Sequence, residues 1–182
     1  MLVFIGLWAN IDNIFEVITE KYISGKNAIL ILGIAYIFEM ATGASNNIIA
    51  VSKHYKYLTW FVAGMLVLAV VSNLIFIPLY QVTGVALATA ITTIGFTLLK
   101  VGFIYKKFGI QPFNMKFLYV TLIGSFVYGT SIFIPAFDNY IFDIIIRSAF
   151  ISIFYFVVLF LTRVSADLNE GVRNIIKKLP KF

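Results

Sequence analysis

The chain has 182 residues, 61% hydrophobic and 12% charged, with a net charge of +6, whereas soluble domains average about 25% charged residues. It has no cysteine, which excludes disulfides and thiolate metal sites, and its one histidine, His54, excludes a multi-histidine metal centre. A mean hydropathy of +0.97 excludes an ordinary soluble domain, and the basic excess reads as loop charge beside membrane spans, not as a nucleic-acid-binding face.

Met1 to Trp8 is apolar, but as a helix it reaches only about 12 Å, too short to cross a bilayer. It has neither a basic leading region nor a small-residue cleavage site, so it is not a signal peptide. Residues 1–18 are expected to be the outer end of a helix that begins upstream; the other reading is a short interfacial helix with Trp8 at the headgroups. Five long apolar stretches follow, at 27–49, 57–77, 82–105, 117–137 and 140–162. Each has the roughly 20 residues needed to cross a hydrocarbon core of about 30 Å. The expected fold is therefore all-α: a polytopic transmembrane helical bundle over 1–163, with five full spans and a partial N-terminal one. Residues 164–182 form a tail, read as an amphipathic surface helix. Ser165 is its N-cap, and Leu168, Val172, Ile175, Ile176 and Leu179 form its apolar side.

The segments between spans set the orientation. Lys53 and Lys56 follow the first stretch, Lys106, Lys107 and Lys116 the third, and five more basic residues lie after the fifth. These ten stand against two, Lys21 and Lys26, on the other side. The positive-inside rule puts the ten, and the C-terminus, in the cytoplasm.

Polar residues inside spans are costly in lipid and so carry information. In 27–49, Tyr36, Glu39, Gly43, Asn46 and Asn47 fall on one face of a continuous helix. That stripe fits the wall of a polar translocation pathway, or interhelical hydrogen bonding for the two amides. In 82–105, Gly84, Ala88 and Gly95 form a small-residue stripe for close helix packing, and Thr89, Thr93, Thr97 and Lys100 a polar one. Lys100 either snorkels toward the loop at Lys106 or presents its charge to an anion inside a cavity. In 140–162, Asp143 and Arg147 are spaced for an ion pair, with an outward-facing anion as the alternative partner for Arg147. No cysteine nucleophile, HxxxxD, GxSxG or paired histidine occurs. The outside segments are too short for a membrane polymerase or ligase, so the chain is expected not to be an enzyme and to use no cofactor.

The stretch from Asn47 to Phe113 resembles the C-terminal half of polysaccharide-biosynthesis membrane proteins. These are the O-antigen and repeat-unit flippases of the MOP superfamily, with a MATE-like fold. The resemblance rests on the Ser52 to Tyr57 loop, on Asn73-Leu-Ile-Phe-Ile-Pro78, on Gly84-Val-Ala86-Leu-Ala88-Thr89 and on Lys106-Lys107-Phe-Gly-Ile-Gln-Pro112. Leu7-Trp-Ala-Asn-Ile-Asp-Asn13 is similar to the outer end of the family's seventh helix. Where the family commonly has Tyr-Gly before the Gly-Ala helix start, this chain has Tyr80-Gln81, and a tight turn is expected to be lost there.

The resemblance implies the C lobe of a transporter in the bacterial inner membrane. Its task would be to flip lipid-diphosphate-linked oligosaccharide repeat units for cell-surface polysaccharide. It also implies an N lobe that these residues do not include, supplied by a longer protein or a second chain. Glu39, Asn46, Asn47, Lys100 and Arg147 are the pathway candidates. The alternatives are a cation-coupled multidrug exporter of the same fold, and a non-transporting structural or assembly subunit of an envelope-glycan complex.

Overall fold

The computed structural model describes residues 1–18, 20–43, 45–111, 115–135, 137 and 139–162; the expected surface helix at 164–182 lies outside them. Among the described residues the chain is helical throughout, with no strand. Its α-helices are α1 (Leu2–Ala9), α2 (Ile11–Ile18), α3 (Lys26–Ala41), α4 (Ser45–Ala50), α5 (Lys56–Phe108), α6 (Met115–Ser131) and α7 (Tyr140–Thr162). A 3-10 segment, Glu20–Gly25, leads into α3. Among the described residues, three helical segments are long and apolar enough to cross a membrane: Ile23–Ala41, Lys56–Phe108 and Tyr140–Thr162. In the most apolar window of α5 only 6% of residues are buried. So much bare apolar surface is stable against lipid or a partner, not against water.

The chain divides into two compact units, one of residues 18–114 and one joining 1–17 to the segment from Met115 onward. The first is built on α5, which is not straight. Gln81 leaves helical geometry (φ 50°, ψ −122°), and the chain reverses there. The ring of Tyr57 lies 5.1 Å from that of Phe103, Gly64 faces Phe96, and Gly84 faces the backbone of Phe76. This register describes an antiparallel helical hairpin of two arms, 56–80 and 82–108. The tight turn is thus made without glycine, contrary to the expectation drawn from Tyr80-Gln81. Pro78 lies inside the first arm, so the helix runs past the expected boundary at 77.

The second arm is the centre of this unit. Gly84, Ala86, Ala88, Ala90, Thr92, Thr93, Phe96, Thr97, Lys100 and Ile104 are buried on it, whereas Ser72 alone is buried on the first arm among the described residues. Small side chains allow the close approach of α3 and α4, both of which pack on α5. Gly84 is the tightest point: a Cβ there would stand 2.0 Å from the Phe76 carbonyl oxygen. Gly95 is looser, with its nearest neighbour, Leu68 Cδ2, at 4.0 Å.

The expected continuous span 27–49 is instead two helices. The Thr42 hydroxyl donates to the Glu39 carbonyl at 3.0 Å, and Gly43 N–H turns back to Met40. These bonds divert carbonyls that a continuing helix would use, and α4 restarts at Ser45.

In the other unit, α1 packs on α6 and α7 around Ile5, Val127, Ile151, Tyr155 and Leu159. The expected partial span at 1–18 bends at Asn10, whose amide donates back to the Gly6 carbonyl at 2.7 Å. Asn139 caps α7, its Oδ1 accepting from Ile141 N–H at 3.0 Å. Helix α6 stops at Ser131, short of the expected 137: Phe133 and Ile134 N–H turn back to the Thr130 and Ser131 carbonyls, and Pro135 disfavours helix at the residue before it.

Candidate functional site

A cavity of about 120 Å³ lies within the unit of residues 18–114, lined by Glu39, Asn46, Leu58, Phe61, Val62, Met65, Phe96 and Lys100. Each polar member arrives on a different element. Helix α3 brings Glu39 in its last turn, α4 brings Asn46, and the second arm of α5 brings Lys100. The hairpin supplies the apolar wall, with Leu58, Phe61, Val62 and Met65 from one arm and Phe96 from the other.

Lys100 is 8% exposed, and its Nζ donates to Asn46 Oδ1 at 3.1 Å. Its ammonium is thus tethered to α4. Among the described residues no carboxylate forms an ion pair with it. A buried ammonium with a neutral amide as its partner is poorly compensated, which favours an anion or water beside it. Glu39 shares the cavity without bonding to the lysine. The Thr97 hydroxyl, one turn before Lys100, and the Ser45 hydroxyl, next to Asn46, are both buried without a hydrogen-bond partner. Apolar walls, one cation, one carboxylate and an amide describe a half-open pocket with polar groups at one end.

The turn at Thr42–Gly43 explains why only part of the expected stripe reaches this place. It interrupts the helical phase: Asn46, though exposed, bonds Lys100, whereas Tyr36, Gly43 and Asn47 are exposed and do not line the cavity.

Arg147, in the other unit, has different work. Its Nη2 and Nε donate to the two carboxylate oxygens of Asp143 at 3.1 and 3.3 Å. Its Nη1 donates to the Ser131 carbonyl at 3.0 Å, capping the end of α6. Asn13 also donates to Asp143, and Asn10 reaches Ser148 Oγ at 3.1 Å. This cluster ties α2 and the Asn10 bend to α7 and fastens α6 to α7. Each nitrogen of the guanidinium makes one hydrogen bond within this unit, so Arg147 acts as a clamp. The sequence expectation included the pair with Asp143 but not Asn10, Asn13 or the Ser131 carbonyl. Those contacts span 16 to 138 residues along the chain, and no local periodicity encodes them.

Among the described residues no group of histidines, cysteines and carboxylates could hold a metal ion. Comparison with protein-family models, with curated proteins and with solved structures gives no match.

Proposed function

We propose that this chain is the C lobe of a membrane transporter that moves an anionic, lipid-linked glycan across the bilayer without covalent chemistry. The observation that carries the reading is Lys100, buried beside Asn46 and Glu39 in a cavity of an otherwise apolar helical unit. A diphosphate passing through low dielectric needs a cation on its route, and Lys100 is placed to be one. The sequence resemblance to polysaccharide flippases supplies the substrate class.

Five crossings are the count we favour. The hairpin turn at Gln81 lets α5 cross twice, and α3, α6 and α7 cross once each. Helices α3 and α6 are the shortest, at 16 and 17 residues, a mismatch that local bilayer thinning absorbs at modest cost. Contacts inside each unit support the alternation of sides. Asn13 bonds Asp143, joining segments both assigned to the outside. His54 and Tyr57 touch Phe103 and Phe108, joining segments both assigned to the cytoplasm. A single lobe cannot enclose a central pathway, so transport requires a second lobe, in a longer protein or another chain.

The test is glycan export in cells that depend on the complete transporter. Lys100→Arg is expected to retain export, and Lys100→Gln to lose most of it at normal membrane abundance. Full export by Lys100→Gln would remove Lys100 from the pathway. Glu39 specifically favours a second reading, the cation-coupled exporter of the same fold, because a carboxylate in that cavity can carry a proton or a cation. That reading expects Glu39→Gln to uncouple transport from an ion gradient, with Lys100→Gln of little effect.

A further inference from the structure

The hairpin brings together two basic segments that lie about 50 residues apart, and among the described residues no carboxylate is paired with them. Lys53 and Lys56 stand at the start of its first arm, and Lys106 and Lys107 in the last turn of its second; all four are exposed. Between Glu39 and Asp138 the sequence contains no acidic residue. Lysines at the end of α5 complement the helix dipole, but Lys56 opens α5 at its positive end, which has no side-chain cap. That half of the cluster is electrostatically unfavourable unless an anion accompanies it.

The two segments are held in place. The His54 ring contacts those of Tyr57, Phe103 and Phe108 at 5.8, 6.2 and 5.9 Å. His54 N–H donates to Ser52 Oγ at 3.0 Å, and Ser52 in turn bonds the Ile49 carbonyl. The lysines therefore share a fixed platform of rings. Each arm is about 25 residues, roughly 38 Å of helix, so an arm that crosses the hydrocarbon core ends at headgroup level. Exposed Tyr55, Tyr57, Trp60 and Tyr105 mark the same level.

We infer that the open end of this hairpin is a binding site for the phosphate headgroup of an anionic phospholipid of the cytoplasmic leaflet. Lys53, Lys56, Lys106 and Lys107 supply the charge, and the His54–Tyr57–Phe103–Phe108 cluster fixes their spacing. The site rests on the membrane-spanning reading but not on the glycan.

Trp60 reports on it directly. It is 77% exposed, lies one turn beyond Lys56, and with Trp8 replaced by phenylalanine is the sole tryptophan. The full chain is reconstituted into vesicles containing brominated phosphatidylglycerol or brominated phosphatidylcholine at equal mole fraction. The anionic lipid is expected to quench Trp60 more strongly, with a preference that fades as salt rises. Each lysine changed to glutamine is expected to lower the preference up to about fivefold, and replacing all four to abolish it. Phe103→Ala keeps every charge but removes the ring that His54, Tyr57 and Phe61 touch, and is expected to lose most of the preference. Phe108→Leu makes the same test if Phe103→Ala does not fold. An unchanged preference in these ring variants means that net charge alone attracts lipid, and overturns the built site. Equal quenching of the wild type by both lipids overturns it outright. Quenching by neither lipid would remove the membrane-spanning reading itself.

Discussion

Gly84→Ala tests the hairpin at its tightest point. The added Cβ would lie 2.0 Å from the Phe76 carbonyl oxygen and 2.6 Å from its carbon. Both are backbone atoms, so no rotamer change relieves the contact. The arms must separate by about 1 Å next to a turn of one residue, whereas overpacking relieved by side chains costs about 1–3 kcal/mol. We expect the upper end, about 3 kcal/mol. At roughly 2–4 °C per kcal/mol for a chain of this size, the unfolding temperature should fall by about 6–12 °C. Gly95→Ala is the matched control, because its nearest neighbour is at 4.0 Å and alanine gains up to about 1 kcal/mol of helix propensity over glycine. The assay is thermal unfolding in one detergent, followed by circular dichroism and by loss of the monodisperse peak. Gly84→Ala unfolding at the wild-type temperature would refute the close approach. Equal losses at Gly84 and Gly95 would refute the register.

Gln81 adopts φ 50°, a backbone region that favours glycine. Gln81→Gly should therefore raise the unfolding temperature by about 2–4 °C, from about 1 kcal/mol of relieved strain; a decrease would mean the side chain contributes more than the strain costs. Cysteines replacing Phe61 and Phe103, whose rings are 5.4 Å apart, should crosslink within one molecule. A straight helix would hold those positions roughly 63 Å apart, so failure with a short crosslinker contradicts the fold-back. Arg147→Gln strands the buried Asp143 and uncaps α6, which should cost about 3–5 kcal/mol. Adding Asp143→Asn should restore at least half of that loss in thermal unfolding, and a double variant no more stable than the single one would mean the clamp works through Ser131 instead.

Much of this architecture was legible because it follows from local pattern. Apolar run length marked every long helix; of the small-residue stripe Gly84, Ala88 and Gly95, the first two are buried and Gly95 is half-buried. What escaped depends on single backbone choices and distant partners. The turn at Thr42–Gly43 replaces a continuous span because a hydroxyl and a glycine end α3 inside an unbroken apolar stretch, and hydropathy does not register hydrogen bonds. The turn at Gln81 survives without glycine because packing along two arms offsets the strain of one residue. The spacing of Lys100 from Lys106 allows snorkelling, and its bond to Asn46 depends on α4, brought near by the break before Ser45. Arg147 could be paired with Asp143 from their spacing, but Asn13 and the Ser131 carbonyl could not be.

The most direct measurement is sided labelling of single cysteines, for which the absence of native cysteine is convenient. Cysteines replacing Lys53, Gln81, Lys107 and Asn139, one at a time, are exposed to a membrane-impermeant maleimide in intact cells and in inverted vesicles. Positions 53 and 107 should react only from the cytoplasmic side, and positions 81 and 139 only from the outside. Labelling of 53 and 81 from the same side would contradict the two crossings of α5, and with them the membrane lobe in which Lys100 lines a pathway.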